Sequence, residues 1–523
     1  MNYGFQEINS FELSIENLMI EKRTSGILFH LTSLPGKHGI GDLGPAARNF
    51  IDFLAASGQS YWQFLPTGPT STAFDNSPYM CRSVFAGNHL LISLELLQES
   101  NFLSANDLAD PPEFSEYFVD YPKVTSYKNA LLKRAFENFS HSEPSSQFKK
   151  FCHDHKKWLD DFALFMIFRE EFDTSPWYEW PAFAAQRTGK DFIQYESKNT
   201  EKLLYFKFVQ FVFFSQWKKI SDYAHAKNIS LIGDIPIYVA LDSSDVWANQ
   251  ELFKIDSKTL KPTKVSGVPP DYFSKTGQRW GNPVYKWEKA TNRTNKKLYN
   301  WWLNRFKQIF SMMDIVKIDH FRGFEAFWEI PATEKTAING KWVKGPGKHF
   351  FTSLKKELKN LPIIAEDLGV ITPPVEKMRD DLGFPGMKVL QFAFESDEKN
   401  PYLPHNYNQT NSIVYTGTHD NNTTLGWFMG NKLSEEARNR IRNYLNSYDD
   451  NHISTELIRL AMSSIAALSI VPMQDILGFG EDCRMNRPGT QSGNWCWRCA
   501  PHFFNNEIAH RLLNMTIFYN RLG

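Results

Sequence analysis

Three acidic residues each follow a short apolar segment. Asp319 follows Ile315-Val-Lys-Ile318, Glu366 follows Leu361-Pro-Ile-Ile-Ala365, and Asp420 follows Ser412-Ile-Val-Tyr-Thr-Gly-Thr-His419. The apolar, β-branched character of these segments predicts buried strands, and barrel enzymes carry catalytic groups at the carboxyl ends of such strands. An acid at any one of these positions could instead cap a helix. Three of them together favour chemistry on a glycosidic bond, which uses paired carboxyl groups.

Cleavage of a glycosidic bond with retention needs a nucleophilic carboxylate and a carboxylic acid about 5–5.5 Å apart. Asp319 and Glu366 end consecutive predicted strands, so we expect them to form this pair. Asp420 is expected to face them and to stabilise an oxocarbenium-like transition state. His320 and His419 lie next to two of the acids and are candidates for contacts with sugar hydroxyls, although a structural role suits their hydrogen-bonding capacity equally well.

Eight strand-like segments recur along the chain with helical patterns between most of them. They are Gly26–Thr32, Ser60–Pro66, Ile229–Pro236, Asp314–His320, Pro362–Glu366, Lys388–Phe394, Ser412–Thr418 and Leu468–Gln474. Eight alternating strand and helix units predict an α/β fold, a closed (β/α)8 TIM barrel.

The spacing of these segments predicts large, mainly helical insertions between barrel strands. Residues 1–24 form a polar N-terminal extension, and residues 25–523 form the catalytic barrel. A helical insertion occupies about residues 91–215, and a second insertion with a Pro- and Gly-rich loop occupies about residues 240–310. The helical insertion could extend a substrate groove or form a subunit contact, and the sequence does not choose between them.

The composition is that of a globular protein with a large core and no dominant charge. Of its 523 residues, 42% are hydrophobic and 22% are charged, with 58 basic and 58 acidic residues. This balance gives no support to a nucleic acid or an anionic membrane as partner. Aromatic residues make up 15% of the chain. They suit stacking on sugar rings, although most are expected to fill the core.

Cysteine usage and hydropathy indicate a cytoplasmic protein. The 5 cysteines are few and odd in number, which is typical of a reducing compartment. Cys496-Trp-Arg-Cys499 is a single CxxC motif without the further partners that a zinc site or a redox site needs. No apolar run is long enough to cross a membrane, and the N-terminus lacks the pattern of a secretion signal. We expect neither a metal nor an organic cofactor.

Several long motifs carry a family resemblance. They are Asp75-Asn-Ser-Pro-Tyr79 with Phe85-Ala-Gly-Asn88, Gly233-Asp-Ile-Pro-Ile-Tyr-Val239, the segment Gly267–Pro283, Ile318-Asp-His-Phe-Arg-Gly-Phe324, Ala365-Glu-Asp-Leu-Gly-Val370, the segment Pro385–Phe394, and Gly417-Thr-His-Asp-Asn421. From about Ser25 to Arg498 the chain resembles the 4-α-glucanotransferases (amylomaltases, or disproportionating enzymes) of glycoside hydrolase family 77.

The resemblance implies a role for each site residue. Asp319 matches the family's nucleophile, Glu366 its general acid/base, and Asp420 its transition-state stabiliser. Five further residues match positions that surround the reacting sugar: Tyr79, Asp234, Trp280, His320 and His419. Asp271 and Phe273 match a mobile loop over the acceptor side.

That loop also has a physical rationale of its own. Pro269 and Pro270 stiffen one end, Gly277 and Gly281 permit sharp turns, and two aromatic residues offer faces to a sugar. A lid that excludes water would favour transfer to a sugar over hydrolysis. The alternative is an ordinary surface loop.

One residue departs from the family pattern. Lys317 stands two residues before the predicted nucleophile, where the family usually carries Arg. Alternation along a strand places Lys317 on the same face as Asp319, so we expect it to belong to the site. Lysine keeps the positive charge but lacks the planar fork of donors that arginine offers. We therefore expect activity to survive with a less firmly oriented nucleophile.

The expected activity is a 4-α-glucanotransferase with a covalent intermediate. A segment of an α-1,4-glucan would pass to Asp319 and then to the 4-hydroxyl of glucose or another α-1,4-glucan. One alternative is an α-glucan hydrolase, in which water is the acceptor and reducing ends increase. The other is an inactive glucan-binding protein, which only Lys317 favours.

Overall fold

The structure is a computed structural model that describes residues 20, 22–141, 143–173, 175–271, 274–287 and 293–523. Its strands, in chain order, are β1 (Thr24–Leu28), β2 (Tyr61–Gln63), β3 (Ser230–Pro236), β4 (Lys264–Val268), β5 (Gln278–Pro283), β6 (Ile315–Asp319), β7 (Ala326–Pro331), β8 (Lys341–Lys344), β9 (Ile363–Ala365), β10 (Gly386–Val389), β11 (Ser412–Tyr415) and β12 (Leu468–Pro472).

The α-helices in these ranges are α1 (Pro45–Ala56), α2 (Leu94–Glu99), α3 (Tyr121–Ser140), α4 (Ser146–Asp154), α5 (Lys156–Glu171), α6 (Ala182–Ala185), α7 (Gly189–Lys198), α8 (Thr200–Ala226), α9 (Ser244–Ala248), α10 (Arg293–Phe310), α11 (Lys348–Leu358), α12 (Pro373–Leu382), α13 (Thr424–Met429), α14 (Glu435–Leu445), α15 (Ile453–Ser463), α16 (Met473–Ile476) and α17 (Asn506–Phe518). No described helix is both long and apolar enough to cross a lipid bilayer.

Eight parallel strands form the predicted (β/α)8 barrel, so the fold prediction is confirmed. Their order is β10-β11-β12-β1-β2-β3-β6-β9. Two contacts join the end strands β9 and β10: the Ala365 N–H donates to the Pro385 carbonyl over 3.0 Å, and the Met387 N–H donates to Asp367 Oδ1 over 2.7 Å. A backbone bond and a side-chain bond therefore close the ring.

The sixth predicted strand differs from the observed one. It was expected at Lys388–Phe394, whereas β10 covers Gly386–Val389 and Leu390–Phe392 form a 3-10 turn. Leu390 and Gln391 are buried in that turn. A buried turn and a buried strand give the same apolar run in sequence, and periodicity alone cannot separate them.

Alternation along β6 places the predicted site residues inside the barrel. Ile315 packs in the inner cluster with Ile232 and Ile413, whereas Val316 and Ile318 pack outward against the helices. Because successive side chains point to opposite faces, Lys317 and Asp319 share the inner face with Ile315.

Helices fill the long segment between β2 and β3. The 27-residue helix α8 packs against α3, α4 and α5. Aromatic rings form much of this contact: the Phe208 ring lies 4.6 Å from that of Phe139 and 5.5 Å from that of Phe102. Many of the aromatic residues therefore serve the core.

A second, antiparallel sheet with the order β5-β4-β7-β8 lies beside the barrel. The sequence analysis does not predict it. β4 and β8 contain lysines among few apolar residues, and β5 contains Gly281 and Pro283, which disfavour strands when considered locally. β4 and β8 both pair with β7, which follows the carboxyl end of β6, and β5 pairs with β4. These pairings compensate for the local preferences and bring Trp280 of β5 to the mouth of the barrel.

Candidate active site

The predicted nucleophile lies at the carboxyl end of β6, where the chain turns sharply. Asp319 keeps 34% of its side-chain surface exposed to the cleft. His320, the next residue, adopts a left-handed conformation with φ of 57° and ψ of 47°. This conformation is uncommon for a residue other than glycine. It directs the His320 N–H toward the neighbouring strand, where it donates to Glu366 Oε2 over 2.7 Å.

The predicted acid/base follows β9, the neighbour of β6. The Glu366 N–H donates to the Ile318 carbonyl over 3.0 Å, and the Phe321 N–H donates to the Glu366 carbonyl over 3.2 Å. The second carboxylate oxygen, Oε1, accepts a bond from the Leu368 N–H over 2.8 Å. Backbone donors thus hold both oxygens of Glu366 beside the nucleophile.

The surroundings raise the pKa values of both carboxyl groups by different amounts. Burial and the charge of Asp319 raise the pKa of Glu366 to about 8, against the effects of Lys317 and the two backbone donors. Burial also raises the pKa of Asp319, but the nearby Lys317 ammonium opposes this and leaves it at about 6. Near neutral pH the pair therefore holds one proton on Glu366 and a charge on Asp319, the division that an acid and a nucleophile require.

A buried cation connects Asp319 to two further predicted site residues. Lys317 Nζ lies 2.8 Å from Asp234 Oδ2 and 3.5 Å from Asp319 Oδ1. Burial alone would lower the pKa of Lys317, but Asp234 and Asp319 raise it above its usual range, so the side chain is charged. The Tyr79 hydroxyl donates to Asp234 Oδ2 over 2.7 Å. Asp234 has a fully buried side chain, and it therefore orients Tyr79 and Lys317.

Asp420 lies on a loop that begins after β11. Its carboxylate is half exposed and accepts a bond from Asn486 Nδ2 over 2.6 Å. Arg484 donates to the Asp420 carbonyl over 2.6 Å, and His419 Nε2 lies 3.3 Å from Asp420 Oδ1. The segment Arg484–Asn486 thus fixes Asp420 by bonds to its carbonyl and its carboxylate, and half of the Asp420 side chain stays exposed.

The predicted sugar-contacting rings converge on the same cleft. Trp280 packs edge-to-face on His320 with ring centroids 4.8 Å apart. Burial lowers the pKa of His320 to about 3, so its ring is neutral, and its Nε2 has no hydrogen-bond partner among the described residues. On the other side, His419 stacks on Tyr79 at 5.1 Å. Within the described part of the chain, His320 Nε2 is therefore an unpaired polar atom beside the cleft, and its own surface is covered by the surrounding protein.

The predicted lid is described only in part. β4 and β5 form the two stems of the lid. Between them, Asp271 Oδ1 accepts a hydrogen bond from the Ser274 N–H over 2.7 Å. Phe273 and its neighbour Tyr272 lie outside the described residues.

The structure adds residues that the sequence analysis missed. Trp495 has φ of 62°, and its ring lies 5.9 Å from those of Tyr79 and His419. His30 borders the same side of the cleft, in a cavity that His419 and Arg484 also line. Burial and the nearby His419 lower the pKa of His30 to about 3. Neither residue carries a local sequence signal, because each reaches the site through contacts across the barrel.

The segment Cys496–Cys499, which carries the CxxC motif, is packed into the protein interior at Cys499. Burial and the nearby Asp75 raise the pKa of Cys496 to about 11, and its thiol donates to the Asn494 carbonyl over 2.9 Å. In the part of the chain that the structure describes, no group of three or more His, Cys, Asp and Glu residues could hold a metal ion.

Comparison with known proteins agrees with this geometry. The family model described as 4-alpha-glucanotransferase matches residues 29–503. The chain belongs to this family. The 4-alpha-glucanotransferase of Synechocystis is 50% identical over 509 residues, covering 96% of this chain and 99% of that protein. The 4-alpha-glucanotransferase of Clostridium butyricum is 44% identical, covering 94% and 99%.

The solved structures include a protein with the same fold throughout. The amylomaltase from Streptococcus agalactiae, in complex with acarbose, is 38% identical and superposes with a TM-score of 0.90 over 96% of this chain and 100% of that one. The family resemblance seen in the motifs is confirmed, and the matched region agrees with the limits expected from them.

Proposed function

We propose that this chain transfers a segment of an α-1,4-glucan to the 4-hydroxyl of glucose or another α-1,4-glucan by retaining double displacement. The observation that carries this proposal is the paired carboxyl groups of Asp319 and Glu366, whose surroundings favour the charged form of one and the protonated form of the other. Membership of the 4-alpha-glucanotransferase family supports the same reaction and does not favour a hydrolase or an inactive binding protein.

In the first step, an Asp319 carboxylate oxygen attacks the anomeric carbon of the donor sugar. The glycosidic bond breaks as the Glu366 carboxyl gives its proton to the leaving oxygen. A covalent glycosyl ester on Asp319 and a shortened glucan result. In the second step, the Glu366 carboxylate takes the proton of the acceptor 4-hydroxyl, whose oxygen attacks the anomeric carbon and releases Asp319. Two inversions retain the α configuration.

The other site residues support these steps from defined positions. Asp420 would stabilise positive charge on the sugar ring with its half-exposed carboxylate. The neutral His320 ring would donate or accept one hydrogen bond to a hydroxyl, while Trp280 and Tyr79 present aromatic surfaces to the sugar. Asp234 and Lys317 would act indirectly: Asp234 would position Tyr79, and Lys317 would position Asp319. Asp271 and Phe273 would contribute from the lid.

The expected partners are α-1,4-glucans and glucose, and we place the protein in the cytoplasm. The bound acarbose in the Streptococcus agalactiae amylomaltase supports a carbohydrate ligand for this fold. All 5 cysteines are free thiols, in keeping with a reducing compartment. We further propose that residues 25–523 form one catalytic unit, because the family match extends across both predicted insertions.

Incubation of the purified protein with maltotriose tests the function. Glucose and longer maltodextrins at a constant number of reducing ends would support transfer. An increase in reducing ends without longer products would instead identify a hydrolase. Unchanged maltotriose would favour the glucan-binding protein.

A further inference from the structure

Asp475 is a buried carboxylate that contacts both ends of the loop carrying Asp420. It belongs to α16, directly after β12, and is 2% exposed. Its Oδ2 accepts the Thr416 hydroxyl over 2.6 Å at the start of the loop. At the far end, Oδ1 accepts the Thr424 N–H over 2.7 Å and Oδ2 accepts the Thr424 hydroxyl over 2.7 Å.

The residues between these ends have further support from within the loop and from the 3-10 turn that follows β10. The Asn421 side chain accepts bonds from the N–H and the hydroxyl of Thr418, each over 2.9 Å. Gln391 donates to the Asn422 carbonyl over 2.9 Å. The carboxylate of Asp420 itself is reached from outside, by Asn486 and His419. The Gln391 N–H also donates to the Thr416 carbonyl over 3.3 Å, but Asp475 is the residue whose side chain accepts bonds from both Thr416 and Thr424.

On the basis of the role proposed above for Asp420, we infer that Asp475 is a positioning residue for transfer, which sets the place of Asp420 by fixing both ends of its loop to one point. Asp475 does not contact Asp319 or Glu366 in the structure, and it acts through the segment Thr416–Thr424. A carboxylate suits this task because it is purely an acceptor, and three donors converge on it.

The substitution Asp475→Asn keeps the shape of the side chain but replaces one acceptor oxygen with a donor. With the amide oxygen on the Thr424 N–H, the new NH2 group faces the hydroxyls of Thr416 and Thr424, which must turn to accept instead of donating. Charge-assisted bonds to a carboxylate are then replaced by weaker neutral bonds at both ends of the loop. A displacement of about 1 Å in a catalytic constellation can cost about 100-fold in rate. We expect kcat for maltotriose disproportionation to fall by about this factor, with KM changed much less.

A double-mutant cycle distinguishes positioning from general structural support. Asp420→Asn and the double variant Asp420→Asn/Asp475→Asn are compared, with α-maltosyl fluoride as a donor whose good leaving group keeps rates measurable. If Asp475 acts through Asp420, the second substitution costs little once Asp420 has been changed. A double variant slower than Asp420→Asn by the full factor of Asp475→Asn would overturn the inference.

Asp245→Asn is the matched control. Asp245 is likewise a buried carboxylate in the first turn of a short helix, and it accepts the Val84 N–H over 2.9 Å. Its substitution should lower the melting temperature as Asp475→Asn does while leaving kcat within a few-fold of wild type. If Asp245→Asn lost as much kcat as Asp475→Asn, replacement of any buried carboxyl group would be enough to lower kcat, and the inference would be overturned.

If Asp475→Asn does not fold, Thr416 provides a second route. Thr416→Val removes one of the hydroxyls on Asp475 at nearly constant volume, whereas Thr416→Ser keeps it. We expect Thr416→Val to lose kcat and Thr416→Ser to retain most of it; equal rates would contradict the inference. Failure of the wild-type protein to lengthen maltotriose would instead refute the proposed function, so the two failures are separable.

Discussion

Lys317 Nζ lies 0.7 Å closer to Asp234 Oδ2 than to Asp319 Oδ1, at 2.8 Å against 3.5 Å. The family's usual Arg could direct separate N–H groups to each carboxylate, but a single ammonium must be shared between them. Here the closer contact goes to the residue that orients Tyr79, and Asp319, the proposed nucleophile, receives the longer one. The site therefore keeps its positive charge while binding Asp319 less directly.

The first prediction concerns this shared cation. Lys317→Met should leave Asp234 and Asp319 without their counter-ion and lower the free energy of unfolding by about 3–5 kcal/mol. Loss of the cation should also raise the pKa of Asp319, so the acidic limb of the pH–rate profile should move to higher pH. Chemical denaturation and initial rates across pH measure the two effects. Lys317→Arg serves as the control, and it should move the acidic limb to lower pH or leave it in place.

The second prediction is a bell-shaped dependence of kcat/KM on pH. Activity should fall below about pH 6 as Asp319 takes up a proton, and above about pH 8 as Glu366 loses its proton. Initial rates of glucose release from maltotriose give the profile. In Glu366→Gln, with α-maltosyl fluoride as donor, the basic limb of fluoride release should disappear because that leaving group needs no acid. A basic limb that persisted in this variant would assign it to another residue.

The third prediction concerns the covalent intermediate. Asp319→Asn should lose at least about 10⁴-fold in kcat, since removal of a nucleophile abolishes the two-step route. In Glu366→Gln, α-maltosyl fluoride should form the ester on Asp319 faster than an acceptor removes it. Intact-protein mass spectrometry should then show one added maltosyl group, absent from the double variant Asp319→Asn/Glu366→Gln. A label that survived the double substitution would exclude Asp319 as the nucleophile.

The fourth prediction concerns the hydroxyl of Tyr79. Tyr79→Phe keeps the stack on His419 but removes the bond to the buried Asp234, and leaving such an acceptor unsatisfied costs about 1–3 kcal/mol of stability. We expect a lower melting temperature, and a fall in kcat/KM of up to about 100-fold because the Tyr79 ring and Asp234 are held less firmly beside the sugar. Tyr407→Phe is a suitable control, because the Tyr407 hydroxyl also makes a bond, over 3.0 Å to the Tyr402 carbonyl, but packs in a cluster away from the predicted site residues.

Residues that belong to a local pattern were predictable from the sequence. Asp319, Glu366 and Asp420 each follow an apolar, β-branched run, and eight such runs account for the barrel. The antiparallel sheet was not predictable, because Lys264–Val268 and Lys341–Lys344 become strands only through pairing with β7. Trp495 and Asp475 were missed for a related reason: each acts on residues more than fifty positions away in sequence, and single-chain periodicity carries no information about such contacts.

The two bonds that close the barrel between β9 and β10 differ in kind. The Ala365 N–H donates to the Pro385 carbonyl, and Pro385 has no N–H with which to donate a second backbone bond. The next bond is made by the Asp367 side chain, which accepts the Met387 N–H and also pairs with Arg379. A backbone bond between strands is kept under almost any substitution, whereas the bond between the Met387 N–H and Asp367 is lost when Asp367 is replaced. The junction of β9 and β10, next to Glu366, is therefore a place where evolution or protein engineering can weaken the barrel without altering a strand.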